Sequence, residues 1–205
     1  MINRPKNWDN VQAFSDRQKL PVGAYVCKIK KASVQETDFG FQLALAFDIT
    51  EGEYAGYYAE EFKNNPANTK KWKGVLRQFL PKDDGSEKDE WTKSSLKGLI
   101  TAIENSNLGY SWNWDENTLA GKEIGIIFRN EEWDYNGKHG WTARPFRATA
   151  AANVREGNCT IPEDKPLKKE STTAYGYGAG SYGTAAPAIS GGFTEMEDDD
   201  GELPF

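Results

Sequence analysis

In FQLALAFDI, Phe41, Leu43, Leu45, Phe47 and Ile49 fall at every second position. A period of two gathers all five on one face of an extended strand, so the segment predicts a half-buried antiparallel strand that needs partner strands. The chain supplies candidates on either side. VGAYVCKIKKASVQE (22–36) is β-prone, follows the Pro21 breaker and leads into a TDFG turn at 37–40. After the turn residues of EGEYAG, YYAEEFK (57–63) reads as a third short strand.

Then the period changes. Trp72, Val75, Leu76, Phe79 and Leu80 sit at helical spacing until Pro81 stops them, and Trp91, Leu96, Leu99, Ile100 and Ile103 outline a second helix. Two more strands, 122–135 and 141–150, flank Asn136-Gly137, a strong short-range hairpin signal. Three strands, a helical insert between strands 3 and 4, and a closing hairpin are the order of a five-stranded OB-fold barrel. That mainly β fold is the expectation for residues 1–157. Beyond it, EDKPLKKE is a charged connector and AYGYGAGSYGTAAPAISGG has no apolar period. Residues 158–194 therefore read as a flexible Gly/Ala/Ser/Tyr-rich linker, spanning on the order of 35 Å as a random coil. Residues 195–205 form a separate acidic tip.

Charge is segregated along the same boundary. The chain carries 25 Lys plus Arg against 31 Asp plus Glu, yet residues 171–205 hold six acids and no base, which leaves 25 of each sign in residues 1–170. The whole net charge of −6 belongs to the tail, the pattern of an acidic interaction segment appended to a neutral body. Two cysteines, Cys27 and Cys159, make neither a disulfide framework nor a zinc spacing and read as free thiols of a reducing compartment. No apolar run reaches the ~18 residues of a membrane span, and MINRPKNWDNVQ lacks the apolar stretch of a signal peptide. The expectation is a soluble, cytoplasmic protein without a membrane partner.

The tip ends EMEDDDGELPF. An aspartate run, Asp198, Asp199 and Asp200, followed by an aliphatic residue, Pro and Phe at the terminus (Leu203, Pro204, Phe205) resembles the tip of the bacterial single-stranded DNA-binding protein family, with Gly201 and Glu202 standing between the acids and Leu203. The specific resemblance covers residues 195–205, and the chain looks like a divergent, bacteriophage-type member. It implies a globular domain that binds and protects single-stranded DNA. It also implies a tip, Asp198–Asp200, Glu202, Leu203, Pro204 and Phe205, that recruits replication, recombination or repair proteins. The chemistry of the tip fits that role. A terminal Phe offers one ring for an apolar pocket and one carboxylate for an arginine clamp, Pro204 lowers the ordering cost, and the acids add salt-sensitive attraction to a basic rim.

Binding single strands without sequence preference needs cations for phosphates and aromatic faces for bases. The last hairpin offers both. A five-residue loop, pairing Tyr135 with Trp141, collects Arg129, Trp133, Tyr135, Trp141 and Arg147 on one face; a two-residue turn at Asn136-Gly137 collects Arg129, Trp133, Tyr135, Lys138, Arg144 and Phe146 instead. The first strand adds Lys28, Lys30 and Lys31. The rival readings are a protein-only adaptor, favoured by the neutral body, and a metal-dependent nuclease built on Glu60-Glu61 or Asp83-Asp84. Neighbours on a strand point to opposite faces, and the second pair lies in a polar loop. The single histidine, His139, sits beside the predicted turn, where a solvated side chain is the expectation. No catalytic group, cofactor or metal is assigned, and the oligomeric state stays open, a homo-oligomer included.

Overall fold

The computed structural model describes residues 3–6, 8–10, 19–65 and 69–167. The tip residues Asp198, Asp199, Asp200, Glu202, Leu203, Pro204 and Phe205, and the linker beyond residue 167, lie outside the described residues.

Two long strands form the centre. Strand β1 (Ala24–Thr37) pairs antiparallel with β2 (Gly40–Ile49) across the Asp38-Phe39 turn, and the alternation of 41–49 lies within β2. Helix α1 (Tyr57–Asn64) follows, then strand β3 (Val75–Phe79) and helix α2 (Glu87–Ser106). The hairpin of β4 (Glu123–Tyr135) and β5 (Lys138–Thr149) and the short helix α3 (Ala151–Arg155) complete the order. All pairings are antiparallel, and the strands lie in the order β3-β2-β1-β4-β5. The sheet is open. Strands β3 and β5 are its two edges, so the closed barrel expected from the element order is not formed by hydrogen bonds.

Leu43, Leu45, Phe47 and Ile49 from β2 meet Cys27 and Ile29 of β1, Leu76 of β3 and Ile124, Ile126 and Phe128 of β4 in one core, capped by Leu96, Leu99 and Ile103 of α2. Phe128 stands edge-on to both Tyr25 and Phe47, at ring-centroid distances of 5.4 and 6.1 Å. Side chains of this size each contribute about 1.5–3 kcal/mol when fully buried. Both cysteines are free; Cys27 lies in the core, where burial pushes its thiol well up, and Cys159 is half-buried.

Two elements differ from the periodicity reading, and each for a tertiary reason. Residues 57–63 are helical, not a third strand. Gly56 at φ 77° turns the chain, and the buried Asp48 carboxylate accepts the backbone N–H of Tyr58 at 3.0 Å, satisfying one of the orphan donors of the first turn. Conversely, 75–79 is a strand rather than a helix. Its apolar residues suit either period, but Phe47 N–H donates to the Gly74 carbonyl at 2.8 Å, and the pairing from Ala46↔Val75 to Gln42↔Phe79 extends that contact into a ladder. Gly74 is needed for the approach: a Cβ there would stand 2.6 Å from the Phe47 carbonyl oxygen and from the Tyr58 ring. Helix α2 buries Leu96, Leu99 and Ile103 and starts at Ser86, whose Oγ accepts from Asp89 N–H, but Trp91 faces outward and is 70% exposed.

Candidate nucleic-acid interface

The hairpin has the two-residue turn. Asn136 and Gly137 both take positive φ, 51° and 73°, and Tyr135 pairs with Lys138, the geometry that matches the twist of the flanking strands. The register opposes Arg129 to Arg144, Glu131 to Thr142, and Trp133 to Gly140. Directly opposed residues share a face, so Arg129, Trp133, Tyr135, Lys138 and Arg144 lie together, as the two-residue turn requires. Trp141 does not join them. It opposes Glu132, on the other face, so the five-residue-loop grouping that placed Trp141 with Trp133 is corrected.

Most of the cationic capacity of this outer face is already engaged. The Arg129 guanidinium is 2.6 Å from Glu131 and stacks over the Phe146 ring at 4.3 Å, with only 20% of its side chain exposed. Arg144 stands 3.9 Å from the same carboxylate. The Trp133 indole lies against Gly140, where a Cβ would come 3.1 Å from the ring. Tyr135, 72% exposed, is the open ring of the set. Arg147 opposes Ile127 beyond a bulge at Phe146, and its guanidinium donates to the Thr160 carbonyl at 3.3 Å. Lys28, Lys30 and Lys31 are exposed on β1, in the middle of the sheet, with Lys30 at a bulge. Residues 158–167, read as the start of the linker, run beside β4, where Lys165 exchanges backbone hydrogen bonds of 2.8 and 2.9 Å with Asn130 and Glu132.

A second basic and aromatic surface lies at the seam between the edge strands. A cleft of about 750 Å³ is lined by Val75 and Arg77 of β3, by Trp141 to Pro145 of β5, by Tyr57, Tyr58 and Glu61 of α1, by Lys71, Trp72 and Lys73, and by Lys19 to Val22. Among the described residues, five of its side chains are cationic (Lys19, Lys71, Lys73, Arg77 and Arg144) and one, Glu61, is acidic. Glu61 is paired with Lys73 at 2.6 Å, so the cleft keeps a net positive charge inside a body that is formally neutral. Focusing of charge by a cleft raises local anion concentration more than the same charges spread over a surface would.

The rings of the cleft are set at different depths. The Trp72 indole N–H donates to the Phe47 and Gly74 carbonyls at 2.9 and 3.2 Å, which holds the ring against the end of the core. Tyr58 is buried beneath it, and burial pushes its phenol far above the ordinary range, so it presents an uncharged ring. Trp141 is 40% exposed. It is the indole best placed for a ligand ring to stack upon.

Of the residues singled out in sequence, the cleft brings together Trp141 and Arg144; Lys28, Lys30, Lys31, Arg129, Trp133, Tyr135 and Arg147 do not line it. The residues missed are Lys19, Tyr57, Lys71, Trp72, Lys73 and Arg77. KKWK at 70–73 was a legible signal, bases interleaved with an indole, but a helical reading turned Trp72 into core. Among the described residues no group of three or more His, Cys, Asp or Glu side chains could hold a metal ion, and no helix is long and apolar enough to cross a membrane. No protein-family model matches the chain, and no curated protein is significantly similar to it.

Proposed function

We propose that the protein binds single-stranded DNA without strong sequence preference through the cleft between β3 and β5, and performs no covalent chemistry. The observation that carries this reading is the convergence, among the described residues, of five cationic side chains, one carboxylate, the exposed Trp141 ring and the half-buried Tyr57 and Trp72 rings in a single cleft. Phosphates are met by point charges and bases by π faces, and every base has a π face, so such a site is tolerant of sequence. Trp141 is the stacking residue of this proposal; Arg77 of β3 is the phosphate partner, with Lys19, Lys73 and Arg144 as further cations of the lining. The outer hairpin face, through Tyr135 and Lys138, extends the path over the β5 edge.

The fold is read in the same way. The neighbour order β3-β2-β1-β4-β5 is that of an OB-type barrel followed from the third strand round to the fifth, with α2 as the insert before the fourth strand. In this reading the unzipped β3–β5 seam is the binding cleft. The tip, Asp198 to Phe205, recruits replication, recombination or repair enzymes, on the strength of its resemblance to single-stranded DNA-binding proteins. Removing Phe205 alone is expected to abolish that recruitment while leaving DNA affinity nearly unchanged, because the acids remain.

Titration of the full chain with oligo(dT), followed by tryptophan fluorescence, tests the DNA reading. Saturable quenching that weakens log-linearly with salt is expected. A chain that shows no quenching and no binding at low salt would instead be a protein-only adaptor, and magnesium-dependent cleavage of a labelled strand would make it a nuclease.

A further inference from the structure

Helix α2 carries two features that nothing among the described residues explains. Trp91 is 70% exposed, and Gly98 stands mid-helix on the solvent side with open space wherever its Cβ would point. Glycine there is disfavoured relative to alanine, and no neighbouring group among the described residues requires its small size. The two are seven residues apart. At 100° and about 1.5 Å per residue they lie within about 20° of one another on the helix surface, separated by roughly 10 Å.

A bulky side chain and a bare backbone at that spacing are self-complementary under one operation. If two α2 helices pack antiparallel about a two-fold axis passing level with Ser94 and Ser95, Trp91 of each copy lies over Gly98 of the other. The serines at the axis are small enough for close approach. The charges obey the same axis. Glu90 and Lys97, both exposed and again seven apart, share one flank of the helix, and the rotation sets Glu90 of each copy on the same side as Lys97 of its partner, offset by about 3 Å along the helix and within reach of the lysine side chain, twice. An isologous interface demands this reciprocity, in which residue i meets j while j meets i.

We propose that the protein forms a two-fold dimer through α2, with a second copy of this chain as the occupant of the Trp91–Gly98 face. The partner is fixed by the charge pattern: an unrelated basic or acidic surface would meet a like charge at either Lys97 or Glu90, whereas a second copy satisfies both. Such a dimer would carry two seam clefts.

Sedimentation velocity of the full, DNA-free chain over a range of concentrations tests this, with thermal melting to verify that each variant is folded. A monomer–dimer equilibrium is expected, weakened about tenfold or more by Trp91→Ala, as for a central interface tryptophan. Lys97→Glu and Glu90→Lys each weaken it, because like charges then meet across the axis. The double variant recovers much of the loss, because the exchanged pair attracts again. The internal Lys93–Glu90 contact of 3.1 Å is lost in Glu90→Lys and in the double variant alike, so recovery reports the pairing between copies. A wild-type chain that remains monomeric throughout, a dimer indifferent to Trp91→Ala, or a folded double variant no better than the single ones would overturn the proposal.

Discussion

The seam cleft and the outer face of the β4–β5 hairpin are built from the same residue types, but they differ in what their cations already hold. On the hairpin, Glu131 pairs with Arg129 at 2.6 Å and stands 3.9 Å from Arg144, and Phe146 covers the Arg129 guanidinium. In the cleft Lys73 is paired with Glu61, and Arg144 is shared with the hairpin, so the difference rests on Arg77. A phosphate approaching Arg129 must displace a carboxylate and a ring contact; one approaching Arg77 meets neither in the structure. The lesson is that aromatic and basic residues in alternation describe a composition, whereas affinity depends on which of those charges remain uncommitted after folding.

The contrast can be broken at single residues. Trp141→Ala should weaken oligo(dT) binding by about 1–3 kcal/mol, the usual worth of a base stacked on an aromatic ring, read from equilibrium titration. An unchanged affinity in a folded variant would move the DNA off the seam. Arg77→Ala should come next, lowering the slope of log affinity against log salt by about 0.7, the signature of one phosphate contact to a single strand. Tyr135→Ala should cost less than Trp141→Ala, because it removes a ring from the rim of the path. The smallest effect is expected for Arg129→Ala, whose salt slope should stay close to that of the intact protein. A drop as large as that of Arg77→Ala would show that phosphate outcompetes Glu131, and the distinction between the two surfaces would fail.

Much of the β architecture was legible because its signals are local. The alternation from Phe41 to Ile49 announces a strand but not its burial, since Leu43 to Ile49 are buried on both faces and Phe41 is 53% exposed, and Asn136-Gly137 announces its hairpin. What was not legible depends on contacts distant in sequence. Seven residues of YYAEEFK satisfy either period, and the Asp48 carboxylate that caps them comes from the end of β2. Val75, Leu76 and Phe79 are equally ambiguous until Gly74 meets the backbone of Phe47. The candidate site was half legible for the same reason. Trp141 and Arg144 were identified from their own strand, but Lys71, Trp72 and Lys73 join them only because the two edges of the sheet line one cleft. The engagement of Arg129 by Glu131, a neighbour two positions along the strand, could have been read from the pattern, since i and i+2 share a face.

The tail adds a further lever on the same comparison. With the flexible linker expected from its composition, its acids would act as a tethered polyanion at an effective concentration of roughly mM near the body, and they should compete with DNA for whichever surface has uncommitted cations. Deleting residues 195–205 should tighten DNA binding at low salt, with a gain that fades as screening increases. Combining that deletion with Arg77→Ala should shrink the gain, while combining it with Arg129→Ala should not.

Photo-crosslinking addresses the central claim most directly. A single strand carrying bromodeoxyuridine, bound to the full chain and irradiated, attaches to the aromatic residues its bases touch, and peptide mass spectrometry then identifies them. The account predicts attachment at Trp141, with Trp72 or Tyr57 as the secondary position. Attachment confined to Trp133 and Tyr135 on the outer hairpin face, or to aromatic residues outside the seam altogether, would contradict it.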